Sequence, residues 1–481
     1  MEQQQFQILI VMISYLILLI LWGIYQGSKV KTSSDYAIAG RNLPGWAAAL
    51  SERATGESSW ALLGLPGFAY ATGLTGIWTA VGCVAGIITA WIGIAWRLRD
   101  EAENYRVNSF TEYIASKHRS MAGWIRSVGS MTLVFFFFFY VGAQFLGGGK
   151  TLHTMFNIDP RIGILITAAI IIPYTVYGGF RSVVYTDVIQ AIVMIVALVI
   201  GPLVGIITIA SSPELFATSI PEALAKAGTG HSSITGGVSG FAAGALLMGG
   251  ISWFFGYLGG QPQLSMRFMA IKNKEQAVKA RNIGIAWTVI AYIGALSIGW
   301  IGIALFGPDS LADQEYVMPR VMLEIFPTPI AAVLITGAIA AMISTADSLL
   351  ILSSTELSEN LLKSHGSEKI SKLNRSRIVT ALLAVIALVV AYVSPSKMIY
   401  TLVGYVWAGI GGTFSIVILL SLFWKRYHGR AVLVTIIIGI TFTIIWISTG
   451  LEAKLTSRVM TFFVAGFAAV VATYLFTDGR K

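Results

Sequence analysis

A cluster of oxygen-bearing side chains, Ser344, Thr345, Asp347 and Ser348, interrupts an apolar run over 328–353 of this 481-residue chain. Three hydroxyls and a carboxylate on nearly adjacent faces of one helix are the ligand types that a hard cation such as sodium takes. Serine and threonine often bond the carbonyls of their own helix, but such back-bonding does not account for an intramembrane aspartate beside them. Glu52, Arg53 and Glu57 form a second anomaly within the apolar stretch 45–68. A charged side chain at the centre of a membrane helix costs about 2.5–3.5 kcal/mol, so these three must be paired or face water. Arg53 and Glu57 are four apart and share a helical face, either as a structural ion pair or as a gate. Gly56, flanked by Thr55, Ser58 and Ser59, predicts a local unwinding whose freed carbonyls would ligate sodium; the alternative is close helix packing at small residues. Asp187 stands among apolar residues shortly after Arg181, as a third functional carboxylate or as half of an interfacial pair with Arg181. Trp253 and Tyr257 fall in a glycine-punctuated aromatic stretch that closes on Gln261 and Pro262.

Such residues need membrane helices to hold them. Hydrophobic residues make up 56% of the chain and charged residues 12%, against about 45–50% and 25% in soluble domains. Uncharged runs such as 162–177, 188–210 and 378–393 approach the ~20 residues that cross ~30 Å of hydrocarbon. Their length favours a helical bundle over a β-barrel, whose strands alternate over about ten residues. The pattern predicts an all-α polytopic membrane protein of about 13 transmembrane helices, near 6–26, 45–68, 73–96, 127–149, 161–178, 183–209, 237–258, 280–306, 328–353, 376–393, 399–423, 430–449 and 455–477. With the N-terminus outside and the C-terminus cytoplasmic, most of the 33 Lys and Arg fall on cytoplasmic segments, as the positive-inside rule requires of a plasma-membrane protein. That topology and anionic inner-leaflet lipid account for the net charge of +10, so the lipid bilayer is the expected partner and nucleic acid is not. The first apolar segment has an acidic lead and no small-residue cleavage pattern, and reads as a retained helix.

Loops 211–235 and 307–327 are long enough for short helices or a lid, and 354–375 reads as a polar cytoplasmic loop. A single cysteine, Cys83, excludes a disulfide framework. The five histidines lie in or near loops without metal-ligand spacing. With no Walker loop, nucleophile elbow or dinucleotide fingerprint, neither an enzyme nor an ATP-driven pump is expected. No required protein partner is evident.

Glycine-interrupted helices at corresponding positions of two halves point to a binding site at the membrane midplane. Spans 45–68 and 237–258 stand five apart in the order, which fits a five-plus-five repeat. The chain then reads as one transmembrane domain over 1–481: a leading helix and loop (1–44), a first repeat (45–209), a second repeat (237–423) and two trailing helices (430–481). Asp35-Tyr36, Gly40-Arg41, Ala49-Leu50-Ser51, Ser58, Trp60, Gly64-Leu65-Pro66-Gly67, Tyr177-Gly178-Gly179-Phe180, Thr186-Asp187, Gly256-Tyr257, Gln261-Pro262, Arg267-Phe268-Met269-Ala270 and Ser344-Thr345 follow one another over nearly the full chain. Their order and spacing resemble the sodium:solute symporter family, most closely its sodium/proline symporter branch.

The resemblance implies a LeuT-type five-plus-five inverted-repeat core in the second to eleventh spans. It implies a main sodium site built from Ala54, Glu57 and Ala341 carbonyls with the Ser344 and Thr345 hydroxyls. A second sodium site, found in part of the family, maps to Asp187, Ser344, Asp347 and Ser348, so the coupling ion is Na+, one or two per cycle. Substrate contacts map to Ser58, Ser59, Trp60, Tyr140, Trp253, Tyr257 and Pro262. The chain departs from the proline branch at the break, with Gly56 and Glu57 where the branch has an aspartate and then a methionine, and with Glu52 and Arg53 where it has small residues. Glu57 is expected either to replace the missing aspartate or to select a solute with a cationic group.

The expected function is a sodium-coupled symporter that imports a small organic solute, proline or a related amino acid, by alternating access. The alternative within transport is a proton-coupled carrier in which Asp187, Asp347 or Glu57 titrates; the hydroxyls at 344 and 345 count against it, since a proton needs no such cage. Outside transport, the alternative is a transporter-like membrane sensor.

Overall fold

The computed structural model describes residues 3–361, 372–394 and 396–476; the side chain of Tyr177, part of one motif above, and residues 362–371 of the polar segment 354–375 lie outside the described set. Among the described residues the secondary structure is helical, with no strand beyond the single Leu43–Ile271 bridge. Among the described residues, ten helices are long and apolar enough to cross a membrane. One of them, Gly45–Tyr105, has 61 residues, and at 1.5 Å per residue a straight helix of that length would be ~90 Å, three times the hydrocarbon thickness. It folds back at the Gly73–Thr75 turn, where Gly73 takes a φ of 62°. Leu65–Thr72 and Gly76–Thr89 consequently pack against the same helix, Lys274–Phe306. Two shorter apolar helices, Pro160–Pro173 and Gly240–Gly256, complete the apolar set.

Burial separates centre from periphery. Thr328–Glu356 is 83% buried in its most apolar window and Gln3–Gly27 only 28%. The first therefore carries its polar island in the middle of the bundle, packed on Gly45–Ser59, Ala122–Phe156 and Pro160–Ser211. The second turns Ile10, Ile17 and Leu21 outward, the expected face toward lipid. Glycine allows the closest approaches: a Cβ on Gly294 would lie 1.9 Å from the Leu198 carbonyl oxygen, the small-residue contact typical of membrane helices.

Two elements break where they cross the centre. Gly45–Ser59 loses helical geometry at Ser58 (φ 53°, ψ −167°), and a wide turn over Trp60–Gly64 leads into Leu65–Thr72. The break thus falls at Ser58 and not at Gly56, which stays helical; glycine marks the neighbourhood, and the contacts described below hold the strained residue. Gly240–Ile251 likewise stops at Ser252, passes through the short Trp253–Gly256 turn and Gly259 (φ 81°), and resumes at Pro262–Met269. The long helix Pro160–Ser211 is interrupted at Gly179 (φ 65°), where a Cβ would stand 2.5 Å from the Tyr36 ring. Loop 211–235 carries Ile220–Lys226 and Thr229–Ser232, and loop 307–327 carries Gln314–Tyr316 and Val317–Ile325. Past 353 the central helix runs on through Glu356 into a Leu357–Leu361 turn, so the start of the polar segment is helix and not loop.

Candidate functional site

At Ser58 the backbone leaves the helix, and its amide partners are replaced locally. The Trp60 N–H bonds both the Glu57 carbonyl and, at 3.0 Å, Ser58 Oγ, while the Ser59 N–H reaches Gln144 Oε1 at 3.1 Å. These bonds stabilise a positive φ that costs a non-glycine residue about 1–3 kcal/mol. The break faces the polar island of Thr328–Glu356. Thr345 Oγ1 donates to the Thr55 carbonyl at 3.1 Å. Ser344 Oγ is buried and lies beside the Asp187 carboxylate. Ala54, Glu57 and Ala341 are buried on the same two helices. A broken helix whose Thr55 carbonyl meets the Thr345 hydroxyl across a helix interface, with the buried Ser344 hydroxyl adjacent in sequence, offers a set of oxygens that a hard cation fits by donor type.

Asp187 sits next to this set. Its Oδ2 accepts from Ser51 Oγ at 2.6 Å, Thr55 Oγ1 at 3.3 Å and Arg267 Nη2 at 3.1 Å. Arg267 also reaches Ser348 Oγ at 2.5 Å and Ser51 Oγ at 3.1 Å, and Ser348 lies 3.0 Å from Thr55 Oγ1. Asp187, Ser344 and Ser348 are thereby brought together, with Asp347 buried on the same helix. Arg181 is not the partner of Asp187; its guanidinium sits over the Tyr185 ring at 5.7 Å. Six residues along a helix turn through roughly 240°, so the two side chains leave on different faces. Arg267, fully buried on Pro262–Met269, is the residue the sequence quoted only as part of a motif; its signal was an arginine in a segment that returns to the bundle after a glycine break.

The aromatic residues close a box beside the break. The Trp60 ring centroid lies 4.5 Å from Trp253, 5.9 Å from Tyr292 and 6.1 Å from Tyr400. Trp407 joins Tyr257 at 5.4 Å and Tyr140 at 5.6 Å, and the Tyr257 and Tyr292 hydroxyls meet at 3.2 Å. Each such pair contributes about 0.5–1.5 kcal/mol beyond its buried area, enough for the rings to pack on one another when no solute lies between them. Ser59 Oγ is buried without a partner, its Cβ close to Gly147, and Pro262 begins the helix after the second break. Tyr292, Tyr400 and Trp407 were not singled out in the sequence, where isolated aromatics on apolar helices look like any core residue.

Beside the box, one guanidinium serves two carboxylates. Arg53 Nη1 donates to Glu57 Oε1 at 2.8 Å and to Thr288 Oγ1 at 3.1 Å; its Nε donates to Glu52 Oε2 at 2.5 Å, and its Nη2 pairs with Glu52 Oε1. Trp91 Nε1 bonds Glu52 at 3.3 Å. All three charged groups are buried, and with both carboxylates ionised the triad carries one negative charge in excess. The Glu57 carboxylate also lies next to the Tyr292 hydroxyl.

Two helices broken at mid-bundle, beside a hydroxyl-bearing helix with an aromatic box at the junction, are the architecture of a secondary transporter. The described sequence pattern of the sodium:solute symporter family matches residues 36–439. The chain is 32% identical over 469 residues to the high-affinity proline transporter PutP of Bacillus subtilis, covering 96% of this chain and 95% of that protein. It is 31% identical over 446 residues to the osmoregulated proline transporter OpuE of the same organism, covering 91% and 88%. It superposes on a Na+-coupled sialic acid symporter in an outward-open state with a TM-score of 0.79 at 20% identity, covering 98% of both chains, and on the nucleobase-cation-symport-1 transporter Mhp1 at 0.57 and 14%, covering 94% and 98%. This chain belongs to the sodium:solute symporter family, and its fold is the LeuT type shared by those structures. It is a multi-pass membrane transporter whose coupling ion is sodium, and not an enzyme.

Proposed function

We propose that this protein imports a small amino-acid-type solute, proline or a close relative, across the plasma membrane with sodium entering at the Ser58 break. The observation that carries the reading is the Thr345 hydroxyl meeting the Thr55 carbonyl of the broken helix, with the Ser344 hydroxyl buried next to it in sequence. The chain crosses the membrane thirteen times, N-terminus outside and C-terminus cytoplasmic, with 45–209 and 237–423 as the two repeats. Sodium bridges the broken helix through the Ala54 and Glu57 carbonyls to Ala341, Ser344 and Thr345. Ser58, Ser59, Trp60, Tyr140, Trp253, Tyr257 and Pro262 contact the solute. The test is uptake of labelled amino acids and small carboxylates into proteoliposomes, an inward sodium gradient against an equal potassium gradient. Sodium-dependent accumulation of proline or a relative supports the reading. Accumulation driven by a proton gradient instead makes the protein a proton-coupled carrier, and solute binding with no uptake makes it a sensor.

One sodium ion is carried per cycle. Asp187, the carboxylate of the second sodium site, is neutralised here by Arg267 at 3.1 Å, and a cation there would meet a guanidinium. Sodium activation of uptake is therefore expected to show a Hill coefficient of about one, since the coefficient is bounded by the number of sites. Arg267→Gln leaves Asp187 buried without its cation, a change that costs about 3–5 kcal/mol in comparable pairs. The expected result is a sharp loss of thermal stability that sodium restores in proportion to its concentration. A wild-type coefficient near two, with an Arg267→Gln variant as stable as the parent, sinks the one-ion reading.

Glu57 reads the cationic nitrogen of the solute. The triad's excess negative charge sits beside an aromatic box, the environment that binds ammonium groups through ring faces and a carboxylate together. Glu57→Gln removes the excess charge and is expected to raise the KM about 10–100-fold, the worth of a charge-assisted hydrogen bond, while sodium still stimulates the residual uptake. Unchanged uptake and unchanged sodium dependence in Glu57→Gln would remove this role.

A further inference from the structure

A cavity of about 720 Å³ opens on the side of the Gly73–Thr75 turn, outside the closed aromatic box, with Phe68, Thr79, Tyr400, Glu452, Lys454 and Arg458 among its lining residues. That is the size of a small-molecule site. Tyr400 forms part of the wall between the two spaces, since its ring stacks on Phe68 at 4.4 Å on the cavity side and meets Trp60 and Trp253 on the box side.

Arg458 is the unusual residue here. It comes from the last helix, Ser457–Leu475, outside the two repeats, yet its guanidinium lies over the Trp253 ring at 4.6 Å. Nε donates to Ser252 Oγ at 2.9 Å and Nη2 to the Gly249 carbonyl at 3.0 Å, both at the second helix break. Nη1 makes no hydrogen bond among the described residues and stands 2.7 Å from where a Cβ on Gly404 would be, so glycine there leaves the space it occupies. Arg458 is only 8% exposed and has no carboxylate partner among the described residues. A buried charge with neutral partners only is costly unless an ion of opposite sign joins it. The cavity's other charges do not supply one. Glu452 is committed to the N-terminus of the last helix, accepting from the Ser457 N–H at 2.7 Å and Thr456 Oγ1 at 3.1 Å. With Lys454 also in the lining, cations outnumber carboxylates.

We propose that this cavity is an outer binding site for the carboxylate of an organic solute, with Arg458 as its anion contact and Tyr400 and Trp253 as the floor it crosses to enter the box. The solute is held by its carboxylate at Arg458 before its cationic nitrogen reaches Glu57. The kinetic part of the test rests on the function proposed above; the labelling part does not.

Full-length protein in nanodiscs is treated with phenylglyoxal, which modifies arginine, and labelling is followed by mass spectrometry with L-proline, L-prolinamide, acetate or acetamide present. The two carboxylates are expected to slow labelling of Arg458 about fivefold relative to their amides, with no such difference at exposed Arg320. Equal rates with carboxylates and amides, or an Arg458 that does not label at all, overturns the proposal. In proteoliposomes Arg458→Gln is expected to raise the KM for L-proline about tenfold at nearly unchanged maximal rate, and Arg458→Lys to recover part of the loss. A fall in maximal rate and thermal stability with KM unchanged would make Arg458 a structural tie and overturn the proposal. Absence of sodium-driven proline uptake by the wild-type protein tells against the substrate assignment and leaves labelling to decide this one.

Discussion

Replacing Ser344 and Thr345 together with alanine abolishes sodium-driven solute accumulation. Hydrogen bonds and ligand contacts to a charged group are worth about 1.5–3 kcal/mol each, so each hydroxyl accounts for roughly 10–100-fold in sodium affinity and the pair for 10²–10⁴. At ordinary sodium concentrations the double variant's site is then empty. The two hydroxyls lie on the most buried of the crossing helices, and alanine is an acceptable helix residue there, so folding is retained and the deficit is one of coupling. Thr345→Ser keeps the ligand and is expected to keep most of the sodium affinity. The measurement is the sodium dependence of initial uptake, paired with solute exchange in the absence of any gradient. Wild-type sodium activation in the double variant would move the ion elsewhere.

The reason lies in what sodium must do. An ion drives the cycle only by its differential affinity for two states of the carrier. The ligands proposed at the Ser58 break come from two different elements, Gly45–Ser59 and Thr328–Glu356, and an ion between them would favour whichever state holds those elements at bonding distance. The Thr345–Thr55 hydrogen bond already spans the same junction. A hydroxyl set on a single helix would bind sodium equally in every state and couple nothing.

The parts of this arrangement that were legible in the sequence are those where one segment contradicts its surroundings. Ser344, Thr345 and Asp347 stand out because back-bonding to helix carbonyls does not account for an aspartate beside hydroxyls in an apolar run, and Glu52, Arg53 and Glu57 because apolar surroundings penalise each charge. The all-helical class followed from apolar run length, and the LeuT-type fold from the resemblance to the sodium:solute symporter family, with which the spacing of the two broken spans agrees. The residue that carries the break was not legible. Glycine at 56 announced a weak point, but the strained angle falls on Ser58, where Gln144, from a helix some 85 positions on, bonds the next amide. The partner of Asp187 was not legible for a related reason. Arg181 is near in sequence and on another helical face, whereas Arg267, 80 residues away, arrives only through the fold. Tyr292, Tyr400 and Trp407 carry no local signal at all, since an aromatic residue on an apolar helix is recognised as part of a box only when the other walls are in place.

Arg53→Met is expected to be the most destabilising single change at the site. It leaves Glu52 and Glu57 buried with no cation, where removing one partner of a buried ion pair costs about 3–5 kcal/mol, and the remaining bonds, from Trp91 to Glu52 for instance, are neutral. Purified variant protein should melt well below the wild type or fail to accumulate in the membrane. The informative experiment adds Glu52→Gln and Glu57→Gln to it. Replacing all members of a buried charged cluster with neutral groups of similar volume is often neutral or stabilising, so the triple variant should regain most of the lost thermal stability. If the cluster were purely structural, uptake would return with it. The excess negative charge beside the aromatic box argues for the other outcome: a protein that is folded, still crosses the membrane, and takes up its solute with a KM at least as poor as that of Glu57→Gln alone.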